Sequence, residues 1–129
     1  KYYTRFPKLG AIQKKYGNFS KGDKLRAIDG RYVNVREPHS SLNLDLQSMG
    51  AIICKYWMID IMTQIRKEGL DALLILCVHD ELQFDVLKEH AERVGQITRE
   101  AMKRVEAMLK MNCPLDAEYK IGKNWAQTH

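Results

Sequence analysis

The sequence concentrates charge at one point between two apolar runs. The stretch Leu73–Val86, LLILCVHDELQFDV, places His79, Asp80 and Glu81 between them. The first run is unbroken, as in a strand buried on both faces, whereas the second alternates, as in a strand with one buried face. A rigid hairpin that ends in two adjacent carboxylates could hold a divalent metal ion or perform acid–base chemistry. The alternative is a polar hairpin turn, for which Asp is well suited.

A second set of hydrogen-bonding side chains, His39, Asn43 and Gln47, recurs every four residues. On a helix this spacing places side chains on one face. The minor groove of duplex DNA offers acceptors at purine N3 and pyrimidine O2 in every base pair, so amide donors at fixed spacing can contact it whatever the sequence. Considered separately, Asn43 also suits a helix N-cap or first turn, and Gln47 suits a helix surface.

The elements that must position these residues follow from hydrophobic periodicity. The predicted elements are a short helix at 8–16, a hairpin over 24–35 with a two-residue turn at Asp29-Gly30, a helix at 41–67, a hairpin over 73–86, a helix at 88–110 and a strand at 115–121. This order favours an α+β fold, in which two long helices pack on one face of a mostly antiparallel sheet.

The two long helices have different predicted environments. The first is apolar around much of its surface and should be nearly central; its apolar residues are Leu42, Leu46, Met49, Ile52, Ile53, Tyr56, Trp57 and Ile59. Gly50 and Ala51 could let another backbone approach closely, and Gly69 should end the helix as a cap. The second helix is amphipathic, with Val94, Ile97, Ala101, Val105 and Met108 facing inward.

Composition limits the class of protein. The chain has 129 residues, about one domain, with 45% hydrophobic and 29% charged residues, as in a globular protein. It has no apolar run of about 18 residues and no signal peptide, so we expect no membrane partner and a cytoplasmic location. Cys54, Cys77 and Cys113 have no paired spacing, and the first two should be reduced core residues.

The net charge of +5 is unevenly distributed. Residues 1–36 contain ten Lys or Arg against two Asp, a net charge of +8, whereas the rest has eleven against fourteen, a net charge of −3. A basic segment of this kind indicates a polyanionic partner such as nucleic acid, and Arg36 within it is a candidate contact. The alternative is a solvated surface.

Three segments resemble family A DNA polymerases, in the order in which that family has them. VHDEL (Val78–Leu82) resembles motif C. DGRYVNVREPHSSLNLDLQSMGAIICK (Asp29–Lys55) resembles the approach to the long palm helix, in the form of the bacteriophage branch. LDAEYKIGKNWAQTH (Leu115–His129) is similar to the C-terminal ending. Residues 1–23 would then be a basic helical segment that follows the fingers, and 24–129 part of the palm.

The resemblance also implies roles for individual residues. Asp80 would be a ligand of the two catalytic Mg²⁺ ions, Glu81 the second acid beside it, and His79 a neighbour of the primer terminus. Asn43 and Gln47 would contact the minor groove of the primer–template duplex, with His39 less typical because the bacterial branch has Arg there. The complete enzyme would use deoxynucleoside triphosphates, and a phage protein would act in the host-cell cytoplasm.

Motifs A and B of the family have no counterpart in this sequence. We therefore expect the C-terminal part of a polymerase domain, which needs an upstream segment with those motifs and is inactive alone. An exposed sheet edge should favour homo-oligomers. Two other hypotheses are a non-catalytic, sequence-independent DNA-binding module and a small metal-dependent phosphohydrolase that uses the His-Asp-Glu turn.

Overall fold

The computed structural model describes residues 2–128. Lys1 and His129, the last residue of the segment that resembles the polymerase C-terminal ending, lie outside the described residues. The helices are α1 (Tyr2–Arg5), α2 (Pro7–Gly17), α3 (Ser41–Glu68), α4 (Ala91–Leu109) and α5 (Trp125–Thr128). The strands are β1 (Lys24–Arg26), β2 (Tyr32–Asn34), β3 (Ala72–Val78) and β4 (Glu81–Val86), paired as two antiparallel hairpins. This confirms the α+β class. Each helix within residues 2–128 is too short or too polar to cross a membrane.

The chain forms two compact units that divide between Ile52 and Ile53. The first unit contains α2, the β1–β2 hairpin and the start of α3. Its buried side chains include Leu25, Ala27 and Val35, which the short hairpin contributes. The predicted helix and hairpin are both present, with slightly different limits.

The turn of the first hairpin is longer than predicted. Beyond the Arg26–Tyr32 pair, the Ala27 amide donates to the Arg31 carbonyl at 2.8 Å, so Ile28, Asp29 and Gly30 form the loop instead of Asp29-Gly30 alone. Gly30 has a φ of 89°. A turn followed by a left-handed glycine gives the strands the same favourable twist as a two-residue turn, and the Asp-Gly pair alone cannot distinguish them.

The core of the second unit lies between α3 and α4. Its buried residues are Trp57, Ile61 and Ile65 from α3, with Val94, Ile97, Ala101, Met102 and Val105 from α4. The Trp57 indole nitrogen donates to the Thr98 carbonyl oxygen at 2.7 Å, which satisfies the polar atom of a buried ring. Leu82, Phe84 and Val86 pack against this core. Both helices therefore cover one face of the β3–β4 hairpin, as predicted.

The prediction that β3 is buried on both faces is wrong. Leu73 and Ile75 are 62% and 60% exposed, because the helices cover only the opposite face of the hairpin. Cys77 is also exposed, so the expectation of a core cysteine fails there, while Cys54 is partly buried. A bulge between Leu74 and Leu76 shifts the register, since Leu74 pairs with Phe84 and Leu76 with the adjacent Gln83.

The long helix α3 is less enclosed than its composition suggested. Leu46 and Ile59 are 56% and 58% exposed, so the apolar residues do not surround a central helix. On α4, Met108 is likewise exposed, whereas its other predicted inward residues are buried. Gly69 follows α3 with a φ of 65°, which confirms the predicted cap.

The predicted strand at 115–121 is absent, since these residues have no regular secondary structure. The Leu115 amide donates to the Glu106 carboxylate at 2.6 Å, and the Tyr119 hydroxyl donates to Glu92 at 2.5 Å. The segment thus contacts α4 through side chains and has no strand pairing within residues 2–128. Leu115, Ala117 and Tyr119 are partly buried in alternation, which explains the strand-like period in the sequence.

Candidate functional site

The turn of the β3–β4 hairpin brings together the three ionisable residues singled out in the sequence. Val78 pairs with Glu81, so His79 and Asp80 form a two-residue turn between the strands. His79 has a φ of 52°, which is uncommon for a residue other than glycine. Strained backbone of this kind persists only where the surrounding structure holds it, and it is concentrated at functional sites. Here the ladder of β3 and β4 holds it.

The two carboxylates at this turn have different surroundings. Asp80 is exposed, and within residues 2–128 it has neither a hydrogen bond nor an ion pair. Glu81 is partly buried and accepts a hydrogen bond from the Gln83 amide. Burial, followed by the charges of Cys77 and Asp80, raises the pKa of the Cys54 thiol. Asp80 is therefore close enough to α3 for its charge to act on Cys54.

The carboxylates at this turn fit part of a Mg²⁺ site. Carboxylate oxygens are the hard ligands that Mg²⁺ prefers, and Asp80 offers its oxygens to solvent. Mg²⁺ requires six ligands, however, and the described part of the chain has no cluster of three or more His, Cys, Asp or Glu side chains suited to a metal ion. Asp80 and Glu81 could thus supply part of a coordination sphere, with the remaining ligands coming from water, substrate or other polypeptide.

The second candidate site is the start of α3. Asn43 and Gln47 are both exposed, and at the helical angle of about 100° per residue their side chains project about 40° apart. His39 does not extend this row, because it lies in a 3-10 turn, Pro38–Ser40, that precedes α3. The predicted spacing of four residues from His39 to Asn43 is therefore not a helical spacing. His39 and Arg36 are both exposed.

A set of contacts that the sequence did not predict fixes the start of α3. The Ser41 hydroxyl donates to the Tyr16 carbonyl oxygen at 2.7 Å, and the Tyr16 hydroxyl donates to the Asp45 carboxylate. The second hydrogen bond, with burial and the Asp45 charge, raises the pKa of Tyr16 to about 12. These residues are 25 and 29 positions apart, so no local pattern could have identified the pairs.

The Ser41 and Asp45 contacts determine which face of α3 is free. Asn43 and Gln47 lie about 160° from Asp45 around the helix axis, so α2 occupies the opposite side. The unit that contains these residues is basic by sequence, although not every charge is available. Arg31 forms an ion pair with Asp29 at 2.6 Å, and its hydrogen bonds hold the pKa of that carboxyl below its usual range.

Comparison with known proteins gives consistent relatives. The chain is 40% identical over 112 residues to the DNA-directed DNA polymerase of Escherichia phage T7 and 38% identical over 112 residues to that of Enterobacteria phage T3. It is 36% identical over 103 residues to DNA polymerase I of Geobacillus stearothermophilus, a match that covers 78% of this chain and 11% of that protein. Each phage match covers 81% of this chain and 16% of the relative.

A solved structure shares the fold. It is the POL domain of Pol1 from M. smegmatis in complex with DNA primer-template and dNTP, with a TM-score of 0.69 and 26% identity. That match covers 81% of this chain and 21% of the other. The present chain thus spans a small part of its relatives. The sequence model of DNA polymerase family A matches residues 12–127. The chain therefore belongs to DNA polymerase family A.

Proposed function

We propose that this chain is part of a template-directed DNA polymerase, which joins a deoxynucleotide to the 3′-hydroxyl of a primer and releases pyrophosphate. The observation that carries the proposal is the strained hairpin turn that presents Asp80 beside Glu81 in a chain of this family. The relatives named DNA-directed DNA polymerase support it, as does the similar structure that contains primer-template and dNTP. Such an enzyme would act in the cytoplasm of a bacterium or of a phage-infected cell.

In this proposal the hairpin turn contributes to the phosphoryl-transfer site. Asp80 would hold Mg²⁺ through its carboxylate, and Glu81 would supply a second acid, which the Gln83 amide orients. When bound, two Mg²⁺ ions supply charge stabilisation for the attacking and leaving oxygens. His79 lies beside the primer terminus, where its imidazole can donate a hydrogen bond. Motifs A and B, which the sequence lacks, would come from an upstream polymerase segment.

The exposed amides of α3 contribute the contact to DNA. Asn43 and Gln47 donate hydrogen bonds to the acceptors that every base pair presents in the minor groove, which suits an enzyme that must copy any sequence. Arg36 and His39 are further contacts, and a cation such as Arg36 would pair with phosphate. The Tyr16 and Ser41 contacts to the opposite side of α3 keep these amides directed toward the duplex.

Primer extension with a complementing segment tests the catalytic part. The chain is mixed with an upstream polymerase segment that carries motifs A and B, and extension is measured with Mg²⁺ and all four dNTPs. We expect extension by the mixture and none by the chain alone. Asp80→Asn should abolish it, because an amide is a poor ligand for Mg²⁺. Asp85→Asn is the matched control, since Asp85 is an exposed residue of the same hairpin.

Two outcomes would contradict this assignment. Extension by the mixture that persists in the Asp80→Asn variant would exclude Asp80 as a necessary metal ligand. Extension by the chain alone, abolished by the same substitution, would show that this chain contains a complete site and that the role given to the upstream segment is wrong.

A second candidate function is a non-catalytic module that binds duplex DNA. It is favoured by the lack of any three-residue metal cluster among residues 2–128, together with the exposed amides of α3. This function predicts that duplex binding needs no metal and survives Asp80→Asn with Glu81→Gln. On either function, binding should be independent of sequence and should weaken steeply as salt rises, because phosphate contacts dominate. A loss of binding in the double variant would exclude the module.

A further inference from the structure

Gly50 is an exposed glycine in the interior of the long helix α3. Apart from proline, glycine is the least favourable residue at such a position, because it loses the most conformational freedom on folding. The helix continues on both sides of it, from Ser41 to Glu68. A residue that opposes helix formation here requires another reason for its presence.

The structure offers no reason within the chain. A Cβ atom built on Gly50 would have no described atom within 4 Å, apart from its own helix and chain neighbours. The sequence suggested that Gly50 lets another backbone approach, but no such backbone is present among residues 2–128. Gly95 of α4 is the contrasting case, since the Tyr119 ring lies directly against it and leaves no space for a side chain.

Gly50 lies on the same face of α3 as the two exposed amides. It projects about 20° from Asn43 around the helix axis, and Gln47 lies about 40° to the other side. We call Asn43, Gln47 and Gly50 the groove face. It extends about 10 Å along the helix, or about three base-pair steps of DNA. Because α2 contacts the opposite side through Ser41 and Asp45, the groove face is free of α2.

We propose that Gly50 is the point where the sugar-phosphate backbone of bound duplex DNA rests directly on α3. This inference rests on the proposed function, in which Asn43 and Gln47 contact the minor groove. That groove is about 6 Å wide, whereas a helix with its side chains is about 10 Å across. The helix cannot enter the groove, so its amides must reach in while the helix itself lies against one wall.

Close approach to that wall explains why the position has no side chain. Any side chain at Gly50 would separate the helix from the wall and withdraw the neighbouring Asn43 and Gln47 amides from the base edges. The net charge of +8 over residues 1–36, in the same unit as Gly50, is complementary to a phosphate backbone. Gly50 thus forms a contact that does not depend on the base sequence and that sets the distance between α3 and the duplex.

The test is duplex binding by Gly50 variants of the full chain. Fluorescence anisotropy at low salt is measured with a labelled mixed-sequence duplex for Gly50→Ala, Gly50→Leu and the double variant Asn43→Ala with Gln47→Ala. We expect binding to weaken about threefold for Ala and about tenfold or more for Leu, since inserting atoms into a close contact has a cost of that order. The melting temperature should instead rise, by about 4 °C, in both Gly50 variants.

Gly17→Leu is the matched control. Gly17 is also an exposed helical glycine of the first unit with no described atom near its Cβ position, but it ends α2 on the opposite side of α3. We expect its duplex affinity to equal that of the wild type. Ala and Leu have nearly equal helix propensity, so an effect of helix rigidity would be the same in both Gly50 variants. A loss of duplex affinity that is larger in Gly50→Leu than in Gly50→Ala would show that the side chain obstructs the approach of the DNA.

The remaining outcomes separate this inference from the proposed function. Wild-type affinity in Gly50→Leu, together with weaker binding in the double amide variant, would overturn the role of Gly50 and leave the minor-groove contact intact. Equal losses in Gly50→Ala and Gly50→Leu would overturn it in favour of helix flexibility. If neither the Gly50 variants nor the amide variant changes binding, the DNA contact of α3 is itself wrong.

Discussion

His79 is the residue whose backbone conformation is least favourable at the candidate metal site. Its φ of 52° is one that glycine adopts without strain, so His79→Gly should stabilise the folded chain by about 1 kcal/mol. We expect the same substitution to lower primer extension by the complemented mixture, because it removes the imidazole that we propose lies beside the primer terminus. Urea unfolding and primer extension measure the two effects.

Lys110 provides the control for this prediction. It also has a φ of 52°, but it caps the end of α4 and belongs to no candidate site. Lys110→Gly should give a similar gain in stability with unchanged extension. If His79→Gly leaves extension at the wild-type level, then the strained turn serves only to connect β3 and β4.

The hydrogen bond from Tyr16 to Asp45 is a residue-scale contact with a predictable pH dependence. It raises the pKa of Tyr16 from 10.0 to about 12, so the folded chain favours the neutral phenol. The stability from this contact is therefore fully present below pH 10 and is lost as pH rises toward about 12. Tyr16→Phe should destabilise the chain by about 1 kcal/mol at neutral pH.

The measurement is the difference in unfolding free energy between Tyr16→Phe and the wild type. We expect that difference to be constant up to pH 10 and to shrink above it, because ionised Tyr16 cannot donate to Asp45. Other tyrosines and lysines titrate in both proteins and cancel in the comparison. A difference that stays constant through the alkaline range would contradict the link between this hydrogen bond and stability.

At the scale of elements, the glycine in the interior of α4 shows how packing reverses a helix propensity. The Tyr119 ring occupies the space that a side chain of Gly95 would need, and the Tyr119 hydroxyl is bonded to Glu92. Gly95→Ala should therefore destabilise the chain by about 1–3 kcal/mol, although Ala favours helices. The expected sign is opposite to that for Gly50→Ala.

A second substitution separates the two causes. With Tyr119→Ala already present, Gly95→Ala should become stabilising, because the obstruction is gone and the helix propensity remains. A double-mutant cycle by chemical denaturation gives the coupling between the two positions. Coupling near zero would mean that residues 115–121 are not held against α4 in solution.

The whole molecule exposes an apolar face that its own helices do not cover. Leu73, Ile75, Leu76 and Val78 of β3 are 41–62% exposed, on the strand whose other face meets the core. An exposed apolar strand with a free edge is a site for pairing with another chain. We expect the chain to self-associate through β3, with a concentration-dependent mass by light scattering.

Charge placed on that face should restore a monomer. Leu73→Lys with Leu76→Lys is expected to abolish self-association without loss of folding, since neither side chain is buried. Met108→Lys, at a 54% exposed position on α4, is the control and should associate like the wild type. A wild-type chain that stays monomeric at high concentration, or association unchanged in the double variant, would contradict the assignment to β3.

The sequence by itself determined the features that depend on local periodicity and turn chemistry. Apolar spacing located α3, α4 and both hairpins, and the break in that spacing placed His79 and Asp80 at a turn. The order of the elements was sufficient for the α+β class, and short motifs were sufficient for the family. These signals are local, because a helix or strand shows its repeat within a few residues.

Only the tertiary structure decided which faces are covered. The composition of β3 indicated burial on both sides, but burial depends on what packs against a strand, and α3 and α4 cover one face only. The segment 115–121 has the alternation of a strand, yet side chains of α4 contact it where a neighbouring strand would pair. The Tyr16–Asp45 contact joins residues that are distant in sequence, so no local pattern can predict it. The open space beside Gly50 among residues 2–128 likewise depends on how the chain folds and not on the residues next to Gly50 in sequence.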